Sequence, residues 1–168
     1  MNTSLSTDEF YQIMLQLNIR DIQSLCSVTT QYHYICNSSD FWKKKVVIDE
    51  LPLINNPSSI NDYLHIKYAA DMVKKHYKSY IAFELKDEDI LKILPLEYSN
   101  QIKKLNYNKI KLFFHSVENS IIKPTLLYAS FDNDKSVERL KFESSKLIML
   151  DILFNLFYYY PEVKMVTH

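Results

Sequence analysis

Not one of the 168 residues is glycine. Glycine enters left-handed backbone without a steric penalty and lets the chain approach a ligand closely. Its absence excludes the phosphate-binding loop and the dinucleotide fingerprint. It equally excludes a nucleophile elbow of the Gly-x-Ser-x-Gly type. It also removes the favoured residue for left-handed helix caps and two-residue hairpin turns. Asparagine is the natural substitute, and Asn37, Asn55-Asn56 and Asn133 are expected to take those places. Such a chain is easier to build from helices than from tight hairpins, so a mainly helical fold is expected.

The chain is 47% hydrophobic, 14% aromatic and 24% charged, too apolar for a disordered segment and sufficient for a core. Its length suits one domain, or one small module and a second small domain. Lys plus Arg equals Asp plus Glu, and the formal net charge is zero. A neutral chain has no long-range field for nucleic acid or anionic lipid. The runs Lys43-Lys44-Lys45 and Lys103-Lys104 are read as solvated helix faces, and no nucleic-acid partner is expected.

The N-terminal region carries a succession of helix signals. Ser6 followed by Glu9 is a capping box, and Leu5 and Phe10 occupy the positions of a hydrophobic staple. Phe10, Ile13, Met14 and Leu17 follow at helical spacing, predicting a helix over about 7–17. Asn18 caps the next, with Asp21 in its first turn and Ile22, Leu25, Cys26 and Val28 as its apolar stripe. Thr29 or Thr30 caps a third carrying Tyr32, Ile35 and Cys36, and Ser39 caps a last turn holding Phe41, Trp42 and Val46. Three or four short helices in about forty residues make too small a core to be robust alone.

This pattern resembles the F-box. The matching residues are Leu5, Glu9, Phe10, Ile13, Leu17, Asp21-Ile22, Leu25, Val28, Tyr32, Ile35-Cys36 and Phe41-Trp42, spaced without an insertion over about a quarter of the chain. Ser6 stands where the family usually has proline, and Tyr32 where it often has tryptophan. The resemblance implies a helical module, residues 1–46, that docks to the Skp-type adaptor, and through it the cullin, of an SCF ubiquitin ligase. It implies that Leu5, Ser6, Phe10, Ile13, Leu17, Ile22, Leu25 and Val28 supply the adaptor-facing or module-core surface. With its unassigned C-terminal region, the chain is similar to the short F-box proteins of giant DNA viruses. The abundance of Lys, Asn, Ile and Tyr, with arginine only at Arg20 and Arg139, fits such an AT-rich genome. The target would then be a host protein, held by the C-terminal domain.

Residues 47–59, with Pro52, Asn55-Asn56 and Pro57, read as a linker, and 60–168 as a mostly helical domain of unassigned type. Ile60, Tyr63, Leu64, Lys67, Tyr68, Met72 and Val73 fit one amphipathic helix reaching about Tyr80. Asp87 caps a further helix that Pro95 stops. Over 98–133 a small hairpin near 109–131 and a pair of short helices both fit: Ile110, Leu112 and Phe114 alternate, and Pro124 interrupts a β-branched run. A buried central helix is expected from Ser136 or Ser145 to Tyr160, with Leu147, Leu150, Phe154 and Phe157 inside.

No catalytic constellation stands out, and no enzyme activity is expected. His33, His65, His76, His115 and His168 form no i+3 or i+4 pair, so neither metal nor cofactor is expected. Cys26 and Cys36 read as free buried thiols of a reducing compartment. Asp151, in an apolar helix, reads as a hydrogen-bonded structural carboxylate before a catalytic one. Tyr158-Tyr159-Tyr160 reads as rings packed on the core with hydroxyls at the surface, ahead of a binding surface. Residues 1–17 lack the basic start and unbroken apolar run of a signal peptide, and 147–160 is too short and polar to span a bilayer. An intracellular location, cytoplasmic or nuclear (in a host cell if viral), is expected. The rival reading is a structural or homo-oligomerising protein whose residues 5–46 are an integral helical layer.

Overall fold

The computed structural model describes residues 5–28, 30–77, 81–85, 89, 92–104, 109–115, 125–133, 136–163 and 166–167, with side chains described outside the strands except at Gln31. The chain is mainly helical, as expected, and forms two units, one ending at Lys67 and one starting at Tyr68.

In the first unit, α1 spans Thr7–Gln16. The Glu9 N–H donates to Ser6 Oγ at 3.3 Å, and the Ser6 N–H donates to Glu9 Oε2 at 2.6 Å, so the predicted capping box is complete. Helix α2 spans Ile19–Val28, and Asn18 caps it: its Oδ1 accepts from the Asp21 N–H at 3.0 Å. A 3-10 turn at Thr30–Tyr32 leads into the single turn of α3, His33–Cys36. Its N-cap is Tyr32, with no side-chain bond, so Thr30 does not cap it, and Thr29 lies outside the described residues. Helix α4 spans Ser39–Ile48, and its cap is Ser38, not Ser39: Ser38 Oγ accepts from the Phe41 N–H at 3.3 Å.

The core of this unit is Met14, Leu15, Ile22, Ile35, Phe41, Trp42, Val46, Tyr63 and Ile66. Each such burial contributes roughly 1.5–3 kcal/mol. The Trp42 indole N–H donates to the Cys36 carbonyl at 2.7 Å, which satisfies the one polar atom of that buried ring. The third lysine of the run 43–45 departs from the solvated face expected of it. Lys45 is 2% exposed, and its ammonium donates to the Leu15 and Leu17 carbonyls at 3.0 and 2.7 Å. It thereby satisfies carbonyls that the end of α1 leaves without helical partners.

Among the described residues, left-handed backbone falls at Glu50, Asn55 and Asn56. The asparagine pair is where expected, whereas Asn37 has φ −96° and ends α3 without a left-handed turn. Glu50 takes the position after the α4 C-cap, where glycine is the usual residue. The Leu51 N–H donates to the Val46 carbonyl at 3.0 Å and the Glu50 N–H to the Val47 carbonyl at 3.1 Å, the paired bonds of a Schellman motif.

The segment 47–59 belongs to this first unit, as do the opening turns of α5, Ile60–His76. Pro57 is buried, and the Tyr63 hydroxyl donates to Asp49 Oδ2 at 2.6 Å. Ser59 Oγ accepts from the Asp62 N–H at 3.2 Å while Asp62 Oδ2 accepts from the Ser58 N–H at 2.9 Å, fixing the start of α5. The buried face of α5 is Tyr63, Ile66, Ala69 and Val73; Tyr68 is exposed. Residues 78–80, into which the sequence pattern extends that helix, lie outside the described residues.

The second unit contains more strand than a hairpin. Strands β1 (Ile81–Leu85), β2 (Lys109–His115), β3 (Thr125–Asn133), β4 (Ser136–Ser144) and β5 (Val166–Thr167) form one sheet in the order β4-β3-β2-β1-β5. All pairs are antiparallel, with Phe83 opposite Leu112, Leu112 opposite Ala129, and Ala129 opposite Leu140. The alternation at 110–114 is thus β2, and the β-branched run contributes β3 from Thr125 onward, Pro124 lying outside the described residues.

Asp87, the expected cap of a further helix, lies outside the described residues; Lys92 and Ile93 are helical, and Ile93 and Leu94 are buried. Pro95 then serves as the N-cap of α6, Leu96–Lys103, which buries Tyr98 and Ile102. Helix α7 is Lys146–Tyr159, so of the two expected starts Ser145 is the cap, its Oγ accepting from the Ile148 N–H at 3.3 Å. Met149, Ile152, Leu153, Phe154, Leu156 and Phe157 are buried on α7. Leu147, expected inside, is 74% exposed in the first turn, and Leu150 is half-buried. No helix among the described residues is long and apolar enough to cross a membrane.

Candidate functional site

The eight residues singled out in the N-terminal module divide between core and surface. Ile22 is fully buried and belongs to the core. Ser6 is occupied as the helix cap. Phe10, Leu17 and Leu25 are half-buried, and the Phe10 ring meets Tyr32 edge-on at 5.5 Å. Leu5 and Ile13 are each 45% exposed, and Val28 is 75% exposed.

Helical geometry explains the division. Met14 and Leu15 define the buried direction of α1. Phe10, Ile13 and Leu17, at i, i+3 and i+7, form a stripe along the flank of that direction. On α2, Ile22 points inward, and Leu25 and Val28 lie progressively further round the helix. Both helices therefore carry an apolar flank that the module itself does not cover. Charged or polar residues would be expected on such a flank in a self-contained helical layer.

Beside α1, the Tyr11 hydroxyl donates to Asp40 Oδ2 at 2.9 Å, and the Lys44 ammonium lies 5.4 Å from the centre of the Tyr11 ring. Burial, reinforced by the neighbouring Asp40 carboxylate, pushes the Tyr11 hydroxyl up to about 12. Asp40 is held below the usual carboxylate range by its hydrogen bonds from Lys44 and Tyr11. Tyr11 packs edge-on to Phe41 at 5.4 Å, so this polar group fastens α1 to α4.

The residues weighed for chemistry are dispersed. Among the described residues no group of three or more His, Cys, Asp or Glu side chains is placed to hold a metal ion. His33 and His65 are exposed; His76 is half-buried with its ring 5.9 Å from that of Phe157; the side chain of His115 and all of His168 lie outside the described residues. Asp151 is exposed on α7 and is not enclosed among its apolar residues. At the end of α7, Tyr158 stacks on Phe154 at 5.8 Å and Tyr159 is exposed, while the Tyr160 hydroxyl, expected at the surface, is part-buried and donates to the Asp89 carbonyl at 3.4 Å. Burial, with Asp89 nearby, raises the Tyr160 hydroxyl well above its ordinary range.

The two cysteines overturn their expected state. Cys26 and Cys36 are joined as a disulfide, their Cα atoms 6.1 Å apart, and both are half-buried. Burial on a stripe would have kept them apart as thiols; instead the turn at 30–32 folds α3 back to the end of α2.

Comparison with protein-family models, with the curated proteins and with the solved structures finds no match to this chain.

Proposed function

We propose that this protein is a non-enzymatic adaptor. In this reading its N-terminal module docks, as an F-box does, to the Skp-type adaptor of an SCF ubiquitin ligase, and the region from residue 60 onward holds a target. The observation that carries the reading is the uncovered apolar flank: Leu5, Ile13 and Val28 are matched F-box positions, and each leaves a large part of its surface outside the module's own core. A few such apolar anchors in a dry contact supply most of the affinity of a typical interface. Tethering would then act by proximity, presenting the target to the charged ubiquitin at high effective concentration. In this reading the docking and the tethering need no covalent step on this chain. The AT-rich codon usage that the composition implies fits a large DNA virus, which makes a host protein the natural target.

The test is calorimetric titration of the full chain against purified Skp-type adaptor. Leu5→Asp combined with Val28→Asp places unpaired charge in the contact and should abolish binding while circular dichroism stays helical, because both side chains lie outside the core. Ile22 is unsuitable for this purpose, since a charge at a fully buried position would unfold the module. Absence of binding by well-folded wild-type protein at high micromolar concentration refutes the adaptor reading. A stable homo-oligomer in the same preparation would then favour self-association through the same flank.

A further inference from the structure

The described residues between Cys26 and Cys36 are tied to the rest of the unit at a few points. Helix α3 is a single turn with no side-chain cap, and a turn of that length is not stable by itself. The 3-10 turn before it contributes the Tyr32 ring, which meets Phe10 edge-on, and α3 contributes Ile35, which is buried. The Trp42 indole N–H reaches the Cys36 carbonyl. Val28, inside the loop, is largely exposed. The covalent link from the end of α2 to the end of α3 closes these residues into one short loop. Both cysteines are half-buried, not sealed in the core.

We infer that Cys26 and Cys36 form a reversible thiol–disulfide switch that sets the order of the 27–35 segment. Closure proceeds by exchange with a low-molecular-weight disulfide. One cysteine thiolate attacks a sulfur of the reagent, forming a mixed disulfide and releasing one reagent thiolate. The second cysteine thiolate then attacks the protein sulfur of that mixed disulfide and releases the other. Two protein thiols and one reagent disulfide become one protein disulfide and two reagent thiols. Two electrons pass to the reagent sulfurs, and the two cysteine protons end on them. A reducing thiol pool runs the same steps backwards. Closing this short loop restricts the unfolded and locally opened chain, so the linked form has the more ordered 27–35 segment.

The test equilibrates the full chain in glutathione buffers from fully reduced to fully oxidised, then counts free thiols by alkylation and mass spectrometry. The expected result is two alkylated cysteines at the reduced end, none at the oxidised end, and recovery in both directions. Amide exchange in 27–35 should slow by on the order of tenfold or more on closure, and the melting temperature should rise by roughly 5–10 °C. The Cys26→Ser/Cys36→Ser double variant should match the reduced form in exchange and ignore the buffer. The inference is overturned if the bond persists in fully reduced glutathione with the protein folded, if it fails to form in oxidised glutathione, or if exchange in 27–35 is the same in both states. No adaptor enters these measurements, so they test the switch whether or not the docking reading holds.

Discussion

Lys45 and Asp49 form an ion pair at 3.0 Å in which the lysine is almost wholly buried and the aspartate is partly open to solvent. The pair sits at the centre of a chain of bonds that runs from the Leu15 and Leu17 carbonyls through Lys45 and Asp49 to the Tyr63 hydroxyl. It joins the end of α1 to α4 and α5 within the first unit. Removing the ammonium strands two carbonyls and one carboxylate at once. Lys45→Ala should therefore destabilise the protein by about 3 kcal/mol in denaturant titration, the cost of leaving a buried pair without one partner. Tyr63→Phe removes the hydroxyl's bond to a charged group and should cost about 1.5 kcal/mol. A loss below about 0.5 kcal/mol for Lys45→Ala would show the network to be incidental.

Glu50 illustrates what a chain without glycine gives up. Its φ of 55° and the two Schellman bonds put a β-carbon where glycine is preferred. Left-handed backbone costs an ordinary residue roughly 1–2 kcal/mol, partly offset by the lower entropy of its unfolded state. Glu50→Gly should therefore stabilise the protein by about 0.5–1 kcal/mol, read as a shift in the denaturation midpoint at unchanged slope.

Three helix caps are legible in the sequence because each is a local signal: Ser6 with Glu9, Asn18 with Asp21, and Ser145 before an apolar run; those of α3 and α4 are not, Tyr32 standing in place of Thr29 or Thr30 and Ser38 in place of Ser39. The choice of buried face is less so. On α1 the apolar residues Phe10, Ile13, Met14, Leu15 and Leu17 cover more than half the circumference, and only the partners on α4 decide that Met14 and Leu15 turn inward. Lys45 reads as solvated because three lysines in a row look uniform, whereas helical rotation sends the third towards the α1 carbonyls. In the second unit, Ile81, Phe83 and Leu85 alternate as a strand should, but the signal is five residues long and follows directly on a helical pattern. In β4 the alternation of Leu140 and Phe142 is broken by Val137, one position out of phase, which hides a nine-residue strand. The disulfide depends on a fold-back that spacing alone does not specify.

On α7, Phe154 is buried and Leu147 is largely open to solvent. Phe154→Ala should cost about 3–5 kcal/mol, through lost transfer free energy and the cavity left behind. Leu147→Ala should change stability by less than about 0.5 kcal/mol. Equal effects at the two positions, by denaturant titration, would contradict the placement of this helix.

Acid should destabilise the protein in two stages. Burial, helped by Lys75, holds His76 below its ordinary 6.5. The unfolded chain therefore takes up that proton more readily, and the contribution of neutral His76 is present above 6.5 and lost as pH falls through the lowered value. Glu9, Asp40 and Asp62 are likewise held below the usual carboxylate range, by the Ser6 N–H, by Lys44 and by the Ser58 N–H respectively. Their contribution is present above their unfolded values and lost as pH falls through the lowered ones. Urea midpoints should be level between about pH 7 and 9, decline shallowly below about 6.5 and fall again below about 4. His76→Gln should remove the first decline and leave the second. Loss of both, or of neither, would assign the first stage to another group.

Ser6 separates folding from docking. Its φ of −70° already suits proline, and proline is the usual residue of the resembled family at this position. Yet Ser6 completes the capping box with both its hydroxyl and its N–H, and proline has neither. Ser6→Pro should therefore lower the stability of the protein by about 1 kcal/mol, as should Ser6→Ala, since both lose the side-chain cap. If the adaptor reading holds, the two variants part company in binding. The proline restricts the backbone leading from Leu5 into α1, and should preserve or tighten affinity for the Skp-type adaptor despite the lost cap. The alanine offers neither that restriction nor the cap, and should bind no better than wild type. Calorimetric titration of the three proteins, beside their denaturant midpoints, gives both quantities. Weaker binding by Ser6→Pro than by Ser6→Ala, at equal stability, would mean that this stretch of chain does not meet the adaptor in the way the resemblance implies.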